Sequence, residues 1–256
     1  MSHIYDALNK GKDASRPAPA GESATETAAT PFNPSETKPL PASAQRGTDE
    51  NLEVIRQRVL LEVGADQTPV IVFTGAVPGE GTSTLALRFA RELALTDTRP
   101  VLLIDGDLSR GRGALSGVLQ AGEQTAGLTE LLDGAADPAQ VILGTEQANL
   151  HFLPCGQGRT APLELVRPER VGKLLRELTR HYAFVVVDAG ASLLAPETAI
   201  FASSTDGVVL VVRANRTRRE VVQKAIDVLN KGRCRLLGVV LNDRRYPIPG
   251  FLYRRI

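Results

Sequence analysis

Six short apolar runs, at residues 70–73, 101–104, 150–153, 184–187, 208–212 and 236–241, constrain this chain more than anything else in it. Most are continuous stretches rich in Val, Ile and Leu, with His151 the one polar interruption, and amphipathic helical patterns separate most of them. A strand with one wet face alternates polar and apolar residues, so unbroken runs belong to strands covered on both faces. Strands of that kind joined through helices make a parallel sheet. The expected fold is α/β, doubly wound and mostly parallel, with ligands at the carboxyl ends of the strands. No internal repeat is visible.

Three of the strand ends carry chemistry. The first run leads into Phe73-Thr74-Gly75-Ala76-Val77-Pro78-Gly79-Glu80-Gly81-Thr82-Ser83-Thr84, after which Leu85, Leu87, Phe89, Ala90 and Leu93 mark one face of a helix. A glycine-rich loop between a strand and a helix can cradle phosphate oxygens with its backbone N–H groups, and the helix dipole favours the same charge. Pro78, Gly79, Glu80, Gly81, Thr82, Ser83 and Thr84 are the candidate phosphate-binding residues, with Ser83 placed to reach Mg²⁺. The second run ends in Asp105-Gly106-Asp107. If the extended geometry persists, both carboxylates share a face and can serve one metal or one attacking hydroxyl, either acid acting as general base. The third run ends in Asp188, suited to a carboxylate near Mg²⁺ and its waters. A plain glycine turn or a bare Asp-Gly-Asp turn accounts for each element alone. The order loop, Asp-x-Asp, Asp is far more specific.

The other segments set the organisation. Residues 1–12 hold Ile4, Tyr5 and Leu8 on one side of a short helix or docking peptide. Residues 13–48 are rich in Pro, Ala, Ser and Thr with few large apolar residues, which predicts a disordered linker. Residues 49–242 form the α/β domain, opening with a helix whose apolar face is Leu52, Ile55, Val59 and Leu60. Residues 243–256 are a basic, aromatic tail with Arg244, Arg245, Tyr246, Tyr253, Arg254 and Arg255. With 30 basic and 29 acidic residues, global charge gives no reason to expect a nucleic-acid partner. Cys155 and Cys234 lack metal or disulfide spacing, and no apolar stretch approaches bilayer length, so a cytoplasmic protein is expected. His3, His151 and His181 receive no role.

On these residues the domain resembles the bacterial tyrosine kinases that control capsule and exopolysaccharide synthesis, a branch of the partition-type and division-site P-loop ATPases. The resemblance covers about residues 50–242. It rests on Pro78-Gly79-Glu80-Gly81-x-Ser83-Thr84, on Leu103-Ile104-Asp105-Gly106-Asp107-Leu108 and on Val185-Val186-Val187-Asp188. Leu153-Pro154-Cys155-Gly156, Pro162-Leu163-Glu164-Leu165, Asp206-Gly207-Val208 and Leu237-Gly238-Val239-Val240-Leu241-Asn242 fit the same pattern. The resemblance implies ATP or ADP with Mg²⁺ as ligands and Ser83, Asp105, Asp107 and Asp188 as the metal and catalytic set. It also implies that Asn242 lies near the adenine.

The departures fall on chemistry. Thr82 stands where the family's loop carries the lysine that touches the β- and γ-phosphates. A charge-assisted hydrogen bond is worth roughly 1.5 to 3 kcal/mol, so nucleotide affinity is expected to fall by about ten- to a hundredfold. Arg88, Arg110 and Arg112 are the nearby cations, and none has the lysine's position. Residues 189–191, Ala-Gly-Ala, replace a hydroxyl residue and two prolines, which predicts a less rigid loop. The family's ring-forming motif keeps Glu53 and Arg56 but has Val59 in its last place, and the tail has only two tyrosines. The resemblance therefore implies a cytoplasmic, kinase-like regulator of polysaccharide synthesis with weakened or absent activity. Its implied partners are a membrane-bound polysaccharide co-polymerase or related envelope protein, its own copies, or an intact paralogue. An active tyrosine kinase rescued by another cation and a positioning ATPase are the alternatives.

Overall fold

The computed structural model describes residues 38–39, 50–64, 67–108, 114–122, 125–157 and 162–243. Its centre is an eight-stranded sheet in the order β1-β4-β5-β3-β6-β2-β7-β8. The strands are β1 (Lys38–Pro39), β2 (Val70–Gly75), β3 (Val101–Gly106), β4 (Leu143–Gly144), β5 (Leu150–Leu153), β6 (Phe184–Ala189), β7 (Gly207–Arg213) and β8 (Leu236–Asn242). All neighbouring pairs are parallel except β4 with β5. Every apolar run of the sequence is a strand.

Successive residues of a strand face opposite sides, and the packing separates accordingly. Ile71, Phe73, Leu103, Val186, Val209 and Val211 pack on one side beneath α1 (Glu50–Val63), α2 (Thr82–Thr96) and α3 (Ala114–Val118). There Phe89 lies 5.2 Å from Phe73 and edge-on to Phe184 at 6.4 Å, centroid to centroid. Val70, Val72, Leu102, Ile104, Val187 and Leu210 pack on the other. That side is covered by α4 (Leu128–Asp133), α7 (Pro168–Leu178), α8 (Pro196–Ser203) and α9 (Arg219–Lys231), while the single turns α5 (Pro138–Val141) and α6 (Pro162–Leu165) complete the connections. Two apolar layers therefore clamp the central strands and hold their carboxyl ends in one row.

Some expectations change. Lys38 and Pro39 pair with Leu143 and Gly144, so two residues of the stretch read as linker add a short strand at the sheet's edge. The other linker residues, the docking peptide at 1–12, and residues 244–256 of the tail lie outside the described residues. In α1, Leu52 and Val59 are buried, with Ile55 and Leu60 partly so. Val59, the last place of the ring motif, is fully buried, and Arg56 bonds Glu53 within the same helix at 3.1 Å.

Candidate nucleotide-binding site

At the end of β2 the chain turns through the glycine-rich loop and enters α2 at Thr82. Gly79 and Gly81 take φ of +87° and +83°, a left-handed conformation that costs glycine little and other residues more. Gly81 is the helix N-cap and supplies no side-chain cap, which leaves the first-turn N–H groups for an anion. Pro78, Gly79 and Thr84 are exposed, as contact with a ligand requires.

Thr82 and Ser83 diverge. Thr82 turns back over the loop, its Oγ1 only 3.0 Å from where a β-carbon on Gly75 would sit. The Ser83 hydroxyl hydrogen-bonds the Asp188 carboxylate and thereby joins the first and third strand ends.

Glu80 and Asn242 are engaged with each other and with β7. The Glu80 carboxylate is buried; it accepts the backbone N–H of Arg213 and, at 2.8 Å, the Thr217 hydroxyl. Only its backbone remains for phosphate, which suits an acid beside an anion. Asn242, expected near the adenine, donates Nδ2 to the Glu80 carbonyl at 2.9 Å and packs against Gly81. In this structure it braces the loop.

The acids meet at the centre of the row. Asp105 and Asp188 are register partners on β3 and β6, and both are buried. Ser116 donates to Asp105 Oδ2 at 3.3 Å, whereas the buried Oδ1 has no hydrogen-bond partner among the described residues. Burial, reinforced by the neighbouring charge of Asp107, pushes the Asp105 carboxyl up to about 7. Burial likewise raises Asp188 to about 8, against the opposing Ser83 hydrogen bond and with the charges of Asp105 and Asp107 adding to it. Asp107 lies just past β3, half-buried, with Oδ1 2.8 Å from where a β-carbon on Gly190 would stand.

Among the described residues, no group of three or more His, Cys, Asp or Glu side chains is arranged to hold a metal. Mg²⁺ does not need such a cage, because it usually takes one or two carboxylates and completes its shell with water and phosphate. An unpartnered buried carboxylate oxygen, two carboxyls held above their ordinary range and a serine hydroxyl fit that demand. Ser83, Asp188 and Asp107 would hold the ion, with Asp105 beside them.

Residues 189–191 are not slack. The Gly190 carbonyl accepts from Thr74 at 2.7 Å and from Thr198 at 3.0 Å, and the Gly75 carbonyl accepts both the backbone N–H and the hydroxyl of Ser192. Hydrogen bonds replace the rigidity that proline would have supplied. Cys155 is buried, its thiol pushed up to about 12, and its Sγ contacts the Asp107 carbonyl at 3.7 Å. Burial keeps this thiol protonated and away from solvent. His151 is also structural, its Nδ1 3.0 Å from the Tyr182 hydroxyl inside the core.

Sequence reasoning missed Ser116, Thr217, Thr74, Ser192 and Thr198. Each acts across a separation set by the fold, and an isolated Ser or Thr gives no local signal of it.

No family model matches the chain. Among curated proteins, tyrosine-protein kinase CpsD of Streptococcus agalactiae is 29% identical over 195 residues, covering 76% of this chain and 83% of that protein. Among solved structures, the VpsO kinase domain aligns with a TM-score of 0.67 at 31% identity, covering 76% of this chain and 94% of that domain. The chain belongs to the bacterial tyrosine-protein kinase family. The septum site-determining protein MinD of Pyrococcus horikoshii, solved with Mg-ADP, aligns with a TM-score of 0.58 at 25% identity, covering 73% of this chain and 76% of that one. In this chain Asp105, Asp107 and Asp188 stand at or just past the ends of β3 and β6, and Thr82 is the first residue of α2. Of the cations near the loop in sequence, Arg88 is on the exposed face of α2, and Arg110 and Arg112 lie outside the described residues.

Proposed function

We propose that this protein is a tyrosine-kinase-like regulator of exopolysaccharide or capsule synthesis and export whose nucleotide site binds Mg·ATP or Mg·ADP weakly and transfers phosphate poorly or not at all. The observation that carries the reading is the conformation of Thr82, whose hydroxyl is folded over Gly75. A lysine at that position would bring a cation to the phosphates. Charge accumulating on the transferring group and its leaving oxygen is then left to backbone N–H groups, and electrostatic stabilisation is the main source of rate in phosphoryl transfer.

Ser83, Asp107 and Asp188 would hold Mg²⁺, which would supply positive charge against the phosphates. The chain itself supplies a hydroxyl at Ser83, carboxylates at Asp107 and Asp188, a loop whose N–H groups face an anion, and a half-buried acid able to take a phenolic proton. Such a protein acts by binding. A membrane-bound polysaccharide co-polymerase on the cytoplasmic side is the proposed partner, in keeping with the family. No helix among the described residues is long and apolar enough to cross a membrane. Copies of this chain or an intact paralogue are further proposed partners.

The retained acids favour one other reading, an active tyrosine kinase with its cation supplied in trans. Incubation of the purified chain with Mg·ATP and a tyrosine-containing polymer, followed by phosphotyrosine detection, separates the two. The regulator reading expects no phosphotyrosine from the wild type. Robust phosphotyrosine that vanishes in Asp105→Ala would establish the active kinase instead.

A further inference from the structure

The sheet ends on one side at β8, whose outer edge has no strand beside it among the described residues. The Asn242 carbonyl accepts the N–H of Ala214, and Val240 and Asn242 are register partners of Val211 and Arg213. In a parallel ladder the N–H and C=O of one residue point to the same neighbour and the direction alternates along the strand, so Val240 and Asn242 turn theirs to β7. Val239 and Leu241 turn theirs outward. Their side chains share the face of their register partners Leu210 and Val212, yet remain 46% and 53% exposed. Natural edge strands are guarded by charge, proline or a bulge. Leu236–Asn242 holds no charged residue and no proline, and its register shift, at Val208 and Val209, lies at the start of the strand. From Gly238 onward the edge is apolar and its hydrogen-bonding groups are open.

The flanking charges select the occupant. Arg235 and Asp243 stand at equal distances in sequence before and after Val239, both exposed in part and paired within the chain to Glu62 and Arg213. A copy of β8 laid antiparallel about Val239 brings Arg235 of each chain toward Asp243 of the other, whereas a parallel copy opposes like charges. The antiparallel arrangement also sets Val239 against Val239 of the second copy, and Val240 against Gly238 of the second copy. We propose that β8 is a dimerisation edge, on which a second copy of this chain adds its own β8 antiparallel, centred on Val239, to make one sheet through two domains. Val239 and Leu241 of both copies then form one apolar strip on the α9 side, and the outward N–H and C=O groups find partners. The contact rests on the reading of copies of this chain as partners, gives them a surface, and needs no nucleotide.

Sedimentation of the full chain without nucleotide, from low to high micromolar concentration, tests the edge. The wild type should pass from monomer to dimer. Val239→Lys sets two like charges against each other at the centre of the pair and should weaken the dimer by about tenfold or more. Val239→Cys reads the register. Opposed residues of a hydrogen-bonded antiparallel pair have α-carbons about 5.5 Å apart, within disulfide reach, so mild oxidation with copper phenanthroline should link two copies. Leu95→Cys, exposed at the end of α2, should stay unlinked, and the buried Cys155 and Cys234 do not compete. A dimer that Val239→Lys leaves intact, or equal linking of the two cysteine variants, overturns the β8 edge while copies remain partners. A wild type that is monomeric at every concentration overturns both.

Discussion

Asp105 and Asp188 stand side by side at one register position of the adjacent parallel strands β3 and β6, both withdrawn from solvent. The Ser83 hydrogen bond to Asp188 ties this pair to the phosphate-binding loop. Two strands alone, clamped between apolar layers, suffice to bring these acids together.

Stability of the unliganded protein should fall as pH rises. Both carboxyls have folded values raised from 3.8, to about 7 for Asp105 and about 8 for Asp188. Between the ordinary value and the raised ones the folded chain holds protons that the unfolded chain has released, so the unfolding free energy declines across that window and levels off above it. Melting temperatures measured from pH 4 to pH 9, compared with Asp188→Asn, check this. The variant should lose the upper part of the decline, and Mg·ADP should raise the wild-type melting temperature more at pH 8 than at pH 5.

Gly81→Ala should destabilise the loop. Its φ of +83° penalises a β-carbon by roughly 1 to 2 kcal/mol, and that carbon would meet Asn242 Nδ2 at 2.3 Å. Thermal unfolding should show the loss, with Asn242→Ala in the same chain recovering the steric part and leaving the backbone part.

Thr74→Val should loosen residues 189–191. The hydroxyl's bond to the Gly190 carbonyl is buried, and its loss should cost about 1 to 3 kcal/mol. Hydrogen exchange at residues 190–192 should accelerate in the variant, while exchange in β5, on the far side of β3, stays unchanged.

Much of the fold was legible because continuous apolar runs have few other uses, and each of the six became a strand. The two-residue strands β1 and β4 were not, since pairs such as Lys38-Pro39 have no periodicity to read and exist through β4 and β5. In the site, the strand-end acids and glycine turns were visible because motif spacing is local. Glu80 belongs to the phosphate loop by position, and only the approach of β7 and Thr217 turns its carboxylate away. The resemblance says nothing of the hydrogen bond from the Asn242 amide to the Glu80 carbonyl. Residues 189–191 hold no proline, and Thr74, Ser192 and Thr198 brace them from β2, the β6–α8 connection and α8. Partners distant in sequence leave no local trace.

In the proposed nucleotide site the acids are in place and Thr82 stands where a lysine would bring a cation. Calorimetric titration of the wild type, Thr82→Lys and Asp188→Ala with Mg·ATP tests this. Weak binding by the wild type, about ten- to a hundredfold tighter binding by Thr82→Lys, and further loss in Asp188→Ala are expected. Tight wild-type binding that Thr82→Lys leaves unchanged would contradict it, since the loop would then have its charge from elsewhere.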